Sequence, residues 1–408
     1  MRILFLTDNF PPEVNAPATR TYEHCRAWAE QGAEVTVITG FPNFPKGKVF
    51  DGYRNRLREE ERMDGIRVIR VWTYITANEG FFRRTLDYLS FAVSSFWSGL
   101  FIKTDLIVAT SPQFFTTFSG RMLSFFKRVP WVFELRDLWP ESIKSVGMMD
   151  DGLVYRMLER IEMRLYRNAS HIVPNTDAFK TRLVERGVPA EKISVIPNGT
   201  NFDLFTPKEA DPKLVSSLGL QDKFVVGYIG TMGMAHALDF VIRSIAQLND
   251  DTFHFLFIGD GAEKGNCIKL ARELKLENVT FLDSVPKQMI PDYLAIIDAS
   301  LAPLKKTETF KTVIPSKIFE AGAMGKPMLL GVDGQARVIV EEFGSGLYFE
   351  PENTDDFIEK VKKLASDKDL QRKLGEGGQK LARAYDRKKL AAQMLEVLKK
   401  AAGIHSGQ

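Results

Sequence analysis

The chain has 408 residues, 44% of them hydrophobic and 26% charged, an ordinary globular composition long enough, as a prior, for two or three domains. A net charge of +3 is too weak to indicate nucleic acid as a partner, although local basic patches are compatible with it. Cys25 and Cys267 are the only cysteines and five histidines show no metal-ligand spacing, so neither a disulfide framework nor a metal site is expected and a reducing cytosol fits.

The chain opens on strand-like residues, without a charged lead and a long apolar region, so no signal peptide is expected. Residues 2–7 form the continuous apolar run of a parallel strand buried on both faces. A loop from Asp8 to Pro17 follows, then a helix over 19–31 stopped by Gly32, then a strand over 34–39. That order opens a doubly wound α/β domain. The loop lacks G-x-G-x-x-G, which argues against a dinucleotide cofactor. Residues 41–65 read as polar loop and 66–71 as a strand.

Residues 81–102 are strongly apolar and aromatic, with Phe81, Phe82, Phe91, Phe96, Trp97 and Phe101 among them, and Arg83, Arg84 and Lys103 at the flanks. The clean apolar part is shorter than the roughly 20 residues a spanning helix needs. Two readings stay open: a helix lying in a membrane interface, and a buried helix of the domain. Strands over 106–110 and 131–135 enclose a helix over 114–126. The second of these strands runs into Glu134-Leu135-Arg136-Asp137-Leu138-Trp139-Pro140-Glu141-Ser142, a cluster of charges at a strand's carboxyl end, where α/β sheets hold ligands. A helix over 153–167, a strand over 171–174, a helix over 177–186 and a last strand over 193–196 complete this half. Pro197-Asn198-Gly199 and Pro207 then punctuate a linker.

A second alternation starts with a strand over 224–229, the tight loop Gly230-Thr231-Met232-Gly233 and a helix over 237–248. Strands follow over 253–258, 279–282, 299–303 and 328–330, and 355–402 reads as helical and polar outside. Gly230, Gly233, Gly259 and Gly261 all fall at predicted strand ends of one sheet, where a missing side chain lets a backbone approach a ligand. In Ile314-Pro315-Ser316-Lys317-Ile318-Phe319-Glu320, Pro315 and the Ser316 hydroxyl read as a helix start. The helix mouth, with free N–H groups and the charge of Lys317, suits a phosphate. Glu320, one turn in, can accept bonds from two adjacent hydroxyls such as those of a ribose. A phosphate donor beside a hydroxyl acceptor describes a nucleotide-sugar site.

Ile196-Pro197-Asn198-Gly199-Thr200-Asn201-Phe202-Asp203-Leu204-Phe205 and Lys317-Ile318-Phe319-Glu320-Ala321-Gly322-Ala323-Met324-Gly325-Lys326-Pro327, with Gly259-Asp260-Gly261 between them, resemble the retaining family 4 glycosyltransferases. The resemblance covers nearly the whole chain. It implies the GT-B fold: two Rossmann-like domains facing each other across a cleft, an acceptor-binding one over 1–205 and a nucleotide-sugar-binding one over 206–385, with a helix over 386–408 crossing back to the first. The Asp137–Ser142 block and the aromatic stretch look like the branch related to WbuB. That branch implies transfer of an N-acetylated deoxyhexosamine, typically L-fucosamine (L-FucNAc), from a UDP-sugar to a polyprenyl-diphosphate-linked sugar of bacterial O-antigen or capsule.

Residue by residue, the resemblance assigns Glu320 to the ribose hydroxyls, and Lys317 with the Gly230-Thr231-Met232-Gly233 loop to the diphosphate. Gly259, Asp260 and Val285 would line the uracil and ribose pocket. Asp137 and Arg136 fall at the reaction centre, and Asn15 and Arg20 border the acceptor side. No metal and no cofactor beyond the UDP-sugar substrate is expected, because fixed positive groups take the leaving charge. The implied setting is cytoplasmic, peripheral on the membrane, with Arg121, Lys127 and Arg128 near the aromatic stretch. The sequence departs from the family at three places. Thr312 stands where many members carry a second glutamate, Thr231 to Asp239 lacks an Arg and Lys clamp, and Arg136 stands where many carry His. Those departures keep two alternatives open, a UDP-sugar 2-epimerase and a catalytically inactive partner subunit.

Overall fold

The computed structural model describes residues 1–44, 47–76, 81–111, 114–145 and 152–404, and the side chains of Phe81, Phe82, Ile143 and Ser145 lie outside the described set. The chain divides into two compact units, Met1–Pro197 with Arg387–Gln408, and Asn198–Asp386.

In the first unit the elements are β1 (Arg2–Leu6), α1 (Ala16–Glu30), β2 (Glu34–Gly40), β3 (Arg58–Met63), β4 (Ile66–Val71), α2 (Phe81–Leu100), β5 (Leu106–Thr110), α3 (Phe114–Lys127), β6 (Trp131–Leu135), α4 (Glu141–Ser145), α5 (Leu153–Asn168), β7 (His171–Pro174) and α6 (Asp177–Glu185). Its sheet has the order β3-β4-β2-β1-β5-β6-β7, parallel except for the β3–β4 pair. The order reverses beside β1, so the ligand crevice of this sheet lies beyond the carboxyl ends of β1 and β5. Alternate residues of β1 serve opposite faces, as a strand requires. Leu4 and Leu6 join Phe91 of α2, Leu123 of α3 and Leu165 of α5 in one core cluster. Phe5 turns the other way and meets Trp28 of α1 at 6.1 Å. Thus α2, α3 and α5 form one layer on the sheet.

The second unit contains α7 (Pro212–Ser217), β8 (Phe224–Ile229), α8 (Leu238–Leu248), β9 (Phe253–Ile258), α9 (Lys264–Glu273), β10 (Val279–Leu282), α10 (Ile290–Ile296), β11 (Ala299–Pro303), α11 (Lys317–Ala323), β12 (Met328–Gly331), α12 (Gln335–Glu342), β13 (Gly346–Tyr348), α13 (Thr354–Ser366) and α14 (Lys368–Ala384). Its all-parallel sheet has the order β10-β9-β8-β11-β12-β13, so the switch point lies between β8 and β11. The last helix, α15 (Arg387–Ala401), belongs to the first unit. It packs on α1, where the Trp28 indole donates to the Ala391 carbonyl at 2.8 Å and Arg387 pairs with Glu23.

Three expectations change, and the tail is refined. Residues 58–63 are not loop: Arg-Glu-Glu-Glu-Arg-Met forms edge strand β3, held by Arg67–Glu60 and Arg70–Glu61 ion pairs at 2.6 and 2.7 Å rather than by an apolar face. Residues 193–196 form only a single bridge to Ile172, because the Ile196 and Pro197 carbonyls are taken by the Arg20 guanidinium. The unit boundary falls at Pro197, not Phe205. Phe205 is buried under the Lys287 ammonium at 4.9 Å, and the Thr200 amide donates to the Tyr385 carbonyl, so 198–205 fold with the second unit. The tail over 355–402 is three helices, with Asn353 and Asp367 capping the first two through their side chains.

Candidate functional site

In the second unit, Gly230 directly follows β8 and Lys317 begins α11, so both lie at the switch point. The Lys317 Nζ sits 3.5 Å from the centroid of the Tyr228 ring, and a Cβ on Gly230 would approach it to 3.4 Å. This buried Nζ has no hydrogen-bond partner among the described residues. Burial pushes its pKa down to about 7, with Glu320 pulling the other way. A desolvated ammonium backed by a ring face and lacking an acceptor is a seat for an anion. His236 stands beside it, its ring 6.0 Å from Tyr228, and burial with the nearby Lys317 lowers its pKa to about 4. The histidine is therefore neutral at pH 7 and adds no positive charge.

The helix mouth is less open than the sequence suggests. Ser316 makes no side-chain cap, and the Ile318 and Phe319 amides donate to the Pro315 and Ser316 carbonyls at 3.2 Å. This tightened first turn takes up two of the amides, which leaves the Lys317 ammonium as the positive group of the helix start. The glycines also have a different physical reason. A Cβ on Gly259 would stand 1.9 Å from the Gly230 carbonyl oxygen, and one on Gly261 would stand 2.4 Å from that of Met232. They let two loops run backbone against backbone, tied by Gly230 N–H to Ile258 O and Met232 N–H to Asp260 O, both 2.9 Å. The Gly233 amide faces His236 Nδ1 at 3.3 Å. Thr231 is exposed, and its carbonyl accepts the Tyr228 hydroxyl at 2.5 Å. Asp260 accepts the Gly261 amide at 2.8 Å.

Glu320 is already engaged. Its Oε1 accepts Lys287 Nζ at 2.5 Å, with both side chains largely buried. Lys287 was not legible as a site residue, since nothing in the spacing pairs it with a glutamate 33 positions on. It follows Val285, which is half-buried in the loop after β10. Thr312, at the place of the absent second glutamate, turns its hydroxyl to the Thr309 carbonyl at 2.6 Å.

In the first unit, Asp137 is half-buried and accepts hydrogen bonds from the Ser142 hydroxyl and the Leu138 amide. Burial pushes its pKa up to about 6, the two hydrogen bonds opposing and Glu141 adding to the rise. Trp139 stacks on Phe114 at 4.4 Å and Leu138 is buried, so this loop is anchored directly after the carboxylate. Arg136 takes another direction: its charge neighbours are Glu134, Arg20 and Arg387, and burial lowers its pKa to about 10. It remains a cation at neutral pH, and it forms no ion pair with Asp137 among the described residues.

Asn15 caps α1 by accepting the Ala18 amide at 2.9 Å, and it donates to Asn9 at 2.5 Å. Arg20, expected at the acceptor side, is 2% exposed. Its guanidinium donates to Glu134 at 2.9 Å and to the Pro197 and Ile196 carbonyls at 2.6 and 2.8 Å. Such a buried, saturated arginine fastens β6 to the end of the first unit instead of facing a ligand.

Residues 15–199 match the family described as Glycosyl transferase 4-like domain, and residues 212–381 match Glycosyl transferases group 1. WcaI of Escherichia coli (strain K12), assigned by name to colanic acid biosynthesis as a glycosyl transferase, is 26% identical over 371 residues, 88% of this chain and 90% of that protein. Among solved structures, sucrose-phosphate synthase from Thermosynechococcus elongatus superposes with a TM-score of 0.80 at 17% identity, covering 99% of this chain and 100% of that one. HepE from Anabaena, in complex with UDP-glucose, superposes with a TM-score of 0.73 at 20% identity, covering 98% of this chain and 100% of that one. Since the two family matches account for both halves and the solved relatives share their architecture, the chain belongs to the family 4 glycosyltransferases of the GT-B fold.

Proposed function

We propose that the chain transfers a sugar, with retention at the anomeric carbon, from a UDP-sugar to a lipid-linked saccharide in O-antigen or capsule synthesis. The observation that carries this reading is the buried, unpartnered Lys317 ammonium at the switch point of the second sheet. Supporting it, HepE is solved with UDP-glucose and WcaI is named for colanic acid biosynthesis. The donor sugar is an N-acetylated deoxyhexosamine such as L-FucNAc, by resemblance to the WbuB-related branch. Lys317 takes the charge that grows on the leaving diphosphate, without a divalent metal. The leaving phosphate accepts the acceptor hydroxyl's proton on the same face of the sugar, and Asp137 orients that hydroxyl. UDP release from a panel of UDP-sugars, with and without a lipid-linked acceptor and with EDTA, tests the reading. Release that needs a metal removes the metal-free part; no release with any donor leaves an inactive subunit.

Glu320 is assigned to the ribose hydroxyls, with Lys287 holding its carboxylate in place. Glu320→Ala should weaken UDP binding by roughly 1.5–3 kcal/mol, the worth of hydrogen bonds to a charged acceptor. Lys287→Ala should cost less, since the acceptor atoms remain. Titration calorimetry with UDP measures both, and parent-like affinity in Glu320→Ala would remove the assignment.

The protein is placed on the cytoplasmic face of the membrane. Among the described residues no helix is long and apolar enough to cross a bilayer. The α2–α3 layer instead exposes Trp97 (60%), Phe101 (77%) and Phe125 (76%), with exposed Arg83, Lys103, Arg121 and Arg128 around them. Aromatic rings rimmed by cations suit an anionic interface. Two residues named from sequence drop out of that face. Lys127 gives its ammonium to the Leu100 and Ile102 carbonyls at 2.8 and 2.7 Å, closing the end of α2, and Phe96 is half-buried on the core. Trp97→Ser with Phe125→Ser should reduce binding to phosphatidylglycerol vesicles about tenfold while leaving UDP affinity unchanged. Absence of vesicle binding by the parent at low salt would count decisively against this placement.

A further inference from the structure

A groove of about 660 Å³ runs along α5, lined by Arg156, Arg160, Arg164, Arg167 and Arg186 together with Glu159 and Met163. The first three arginines repeat every four residues and the fourth follows three later, so they share one face of the helix over about 16 Å. Among the described residues none of these four makes an ion pair. Arg186 differs: it is held at 2.8 Å by Glu162, which is buried and also accepts the Tyr166 hydroxyl at 2.6 Å. It forms a fixed wall of the groove. Like charges four residues apart destabilise a helix. On other helices arginines are offset by carboxylates four residues on: Arg337 pairs with Glu341 on α12, and Arg372 with Glu376 on α14, at 2.8 and 2.9 Å. The α5 ladder is instead left with repulsion that a bound anion would relieve.

Met163, which lines the groove, packs against the same core cluster as Phe96 of α2 and Phe118 of α3. At the other end of α5, Leu153, Val154 and Met157 are exposed. Cations thus stand among outward apolar side chains in one helical layer, and guanidinium forks match phosphate oxygens two at a time.

We propose that Arg156, Arg160, Arg164 and Arg167 form a headgroup site that binds the phosphates of anionic phospholipids when the α2–α3 face meets the bilayer. The site rests on the membrane placement argued above, and it adds to the charge selectivity of the cations around the aromatic face. Each arginine at a negatively charged surface contributes about fivefold in partitioning, so three together contribute on the order of 100-fold.

Sedimentation with phosphatidylcholine vesicles, with and without phosphatidylglycerol, tests it. The parent is expected to bind the anionic vesicles in a salt-sensitive manner. Arg156→Gln with Arg160→Gln and Arg164→Gln is expected to lose on the order of 100-fold, with UDP affinity unchanged as the check on folding. The same three positions as lysine should keep most of the binding, and Arg160→Gln alone should lose about fivefold. If the glutamine variant binds like the parent while Trp97→Ser with Phe125→Ser does not, the groove proposal is overturned and the membrane placement stands. If the parent binds no vesicle, both fall. If inorganic pyrophosphate raises the melting temperature of the parent but not of the glutamine variant, and vesicle binding is equal in the two, the groove serves a soluble diphosphate and the lipid assignment is overturned.

Discussion

Lys317→Met is expected to abolish measurable UDP binding and, in the same molecule, to raise the stability of the unliganded protein. The two effects share one cause. The Nζ is buried over the Tyr228 ring with no hydrogen-bond partner among the described residues, so without a ligand it carries the cost of an unsatisfied polar group, about 1–3 kcal/mol. Methionine fills similar volume without a charge and meets the ring face well. The pH dependence fixes the sign. In the folded chain the pKa falls from 10.5 to about 7, so the unfolded chain binds the extra proton between those values. The lysine's destabilisation is therefore full below pH 7 and fades as pH rises towards 10.5. The gain in melting temperature from Lys317→Met should follow: largest at pH 6, smaller at pH 9. A diphosphate seated on the ammonium reverses the shift, so UDP binding takes up a proton. Parent affinity should fall about tenfold per pH unit above 7. Calorimetric titration in buffers of different ionisation enthalpy reads that proton directly. A variant that binds UDP like the parent, or that melts lower at pH 6, would show that the ammonium does not hold the diphosphate.

The buried parts of the molecule were legible and the polar parts were not. The strands 171–174, 224–229, 253–258, 279–282 and 299–303 read from the sequence with the bounds the structure gives, since β-branched and aromatic runs have one use in a doubly wound sheet. Strand β3 was missed because its cohesion comes from ion pairs to β4, which leave no apolar period. At the site, Lys317 and Glu320 were visible as a chemical pair on one helix start. Their actual partners were not, because Tyr228 and Lys287 come from strand ends far away in sequence. Arg20 shows the opposite failure. An arginine in the first helix after β1 reads as a ligand group, and only burial against Glu134 and two carbonyls reveals that it fastens the fold. Pattern finds residues that can do chemistry; it does not say which are already satisfied.

Asp137→Asn should leave UDP affinity intact and lower the transfer rate about 100-fold or more, the scale of one preorganised polar group. The substitution keeps the shape of a side chain whose surroundings are fixed: Leu138 is buried, Trp139 stacks on Phe114, and the Ser142 hydroxyl and Leu138 amide donate to the carboxylate. What changes is the charge. An amide in that place must turn its oxygen to those two donors, which leaves its NH₂ where a carboxylate oxygen would accept the acceptor's hydroxyl. The carboxylate's pKa of about 6 adds a second signature. Its protonated form cannot perform the role, so the parent's rate with saturating donor should fall about tenfold per pH unit below 6, while Asp137→Asn should lack that acid limb. Arg136 supplies the control. Its charge neighbours are Glu134, Arg20 and Arg387, not Asp137, so Arg136→Ala does not act by releasing the aspartate. If the rate falls in Arg136→Ala and stays near the parent's in Asp137→Asn, the catalytic assignment moves to the arginine. Full activity in both, measured as UDP release with a lipid-linked acceptor, would place the reaction centre on a loop other than the one after β6.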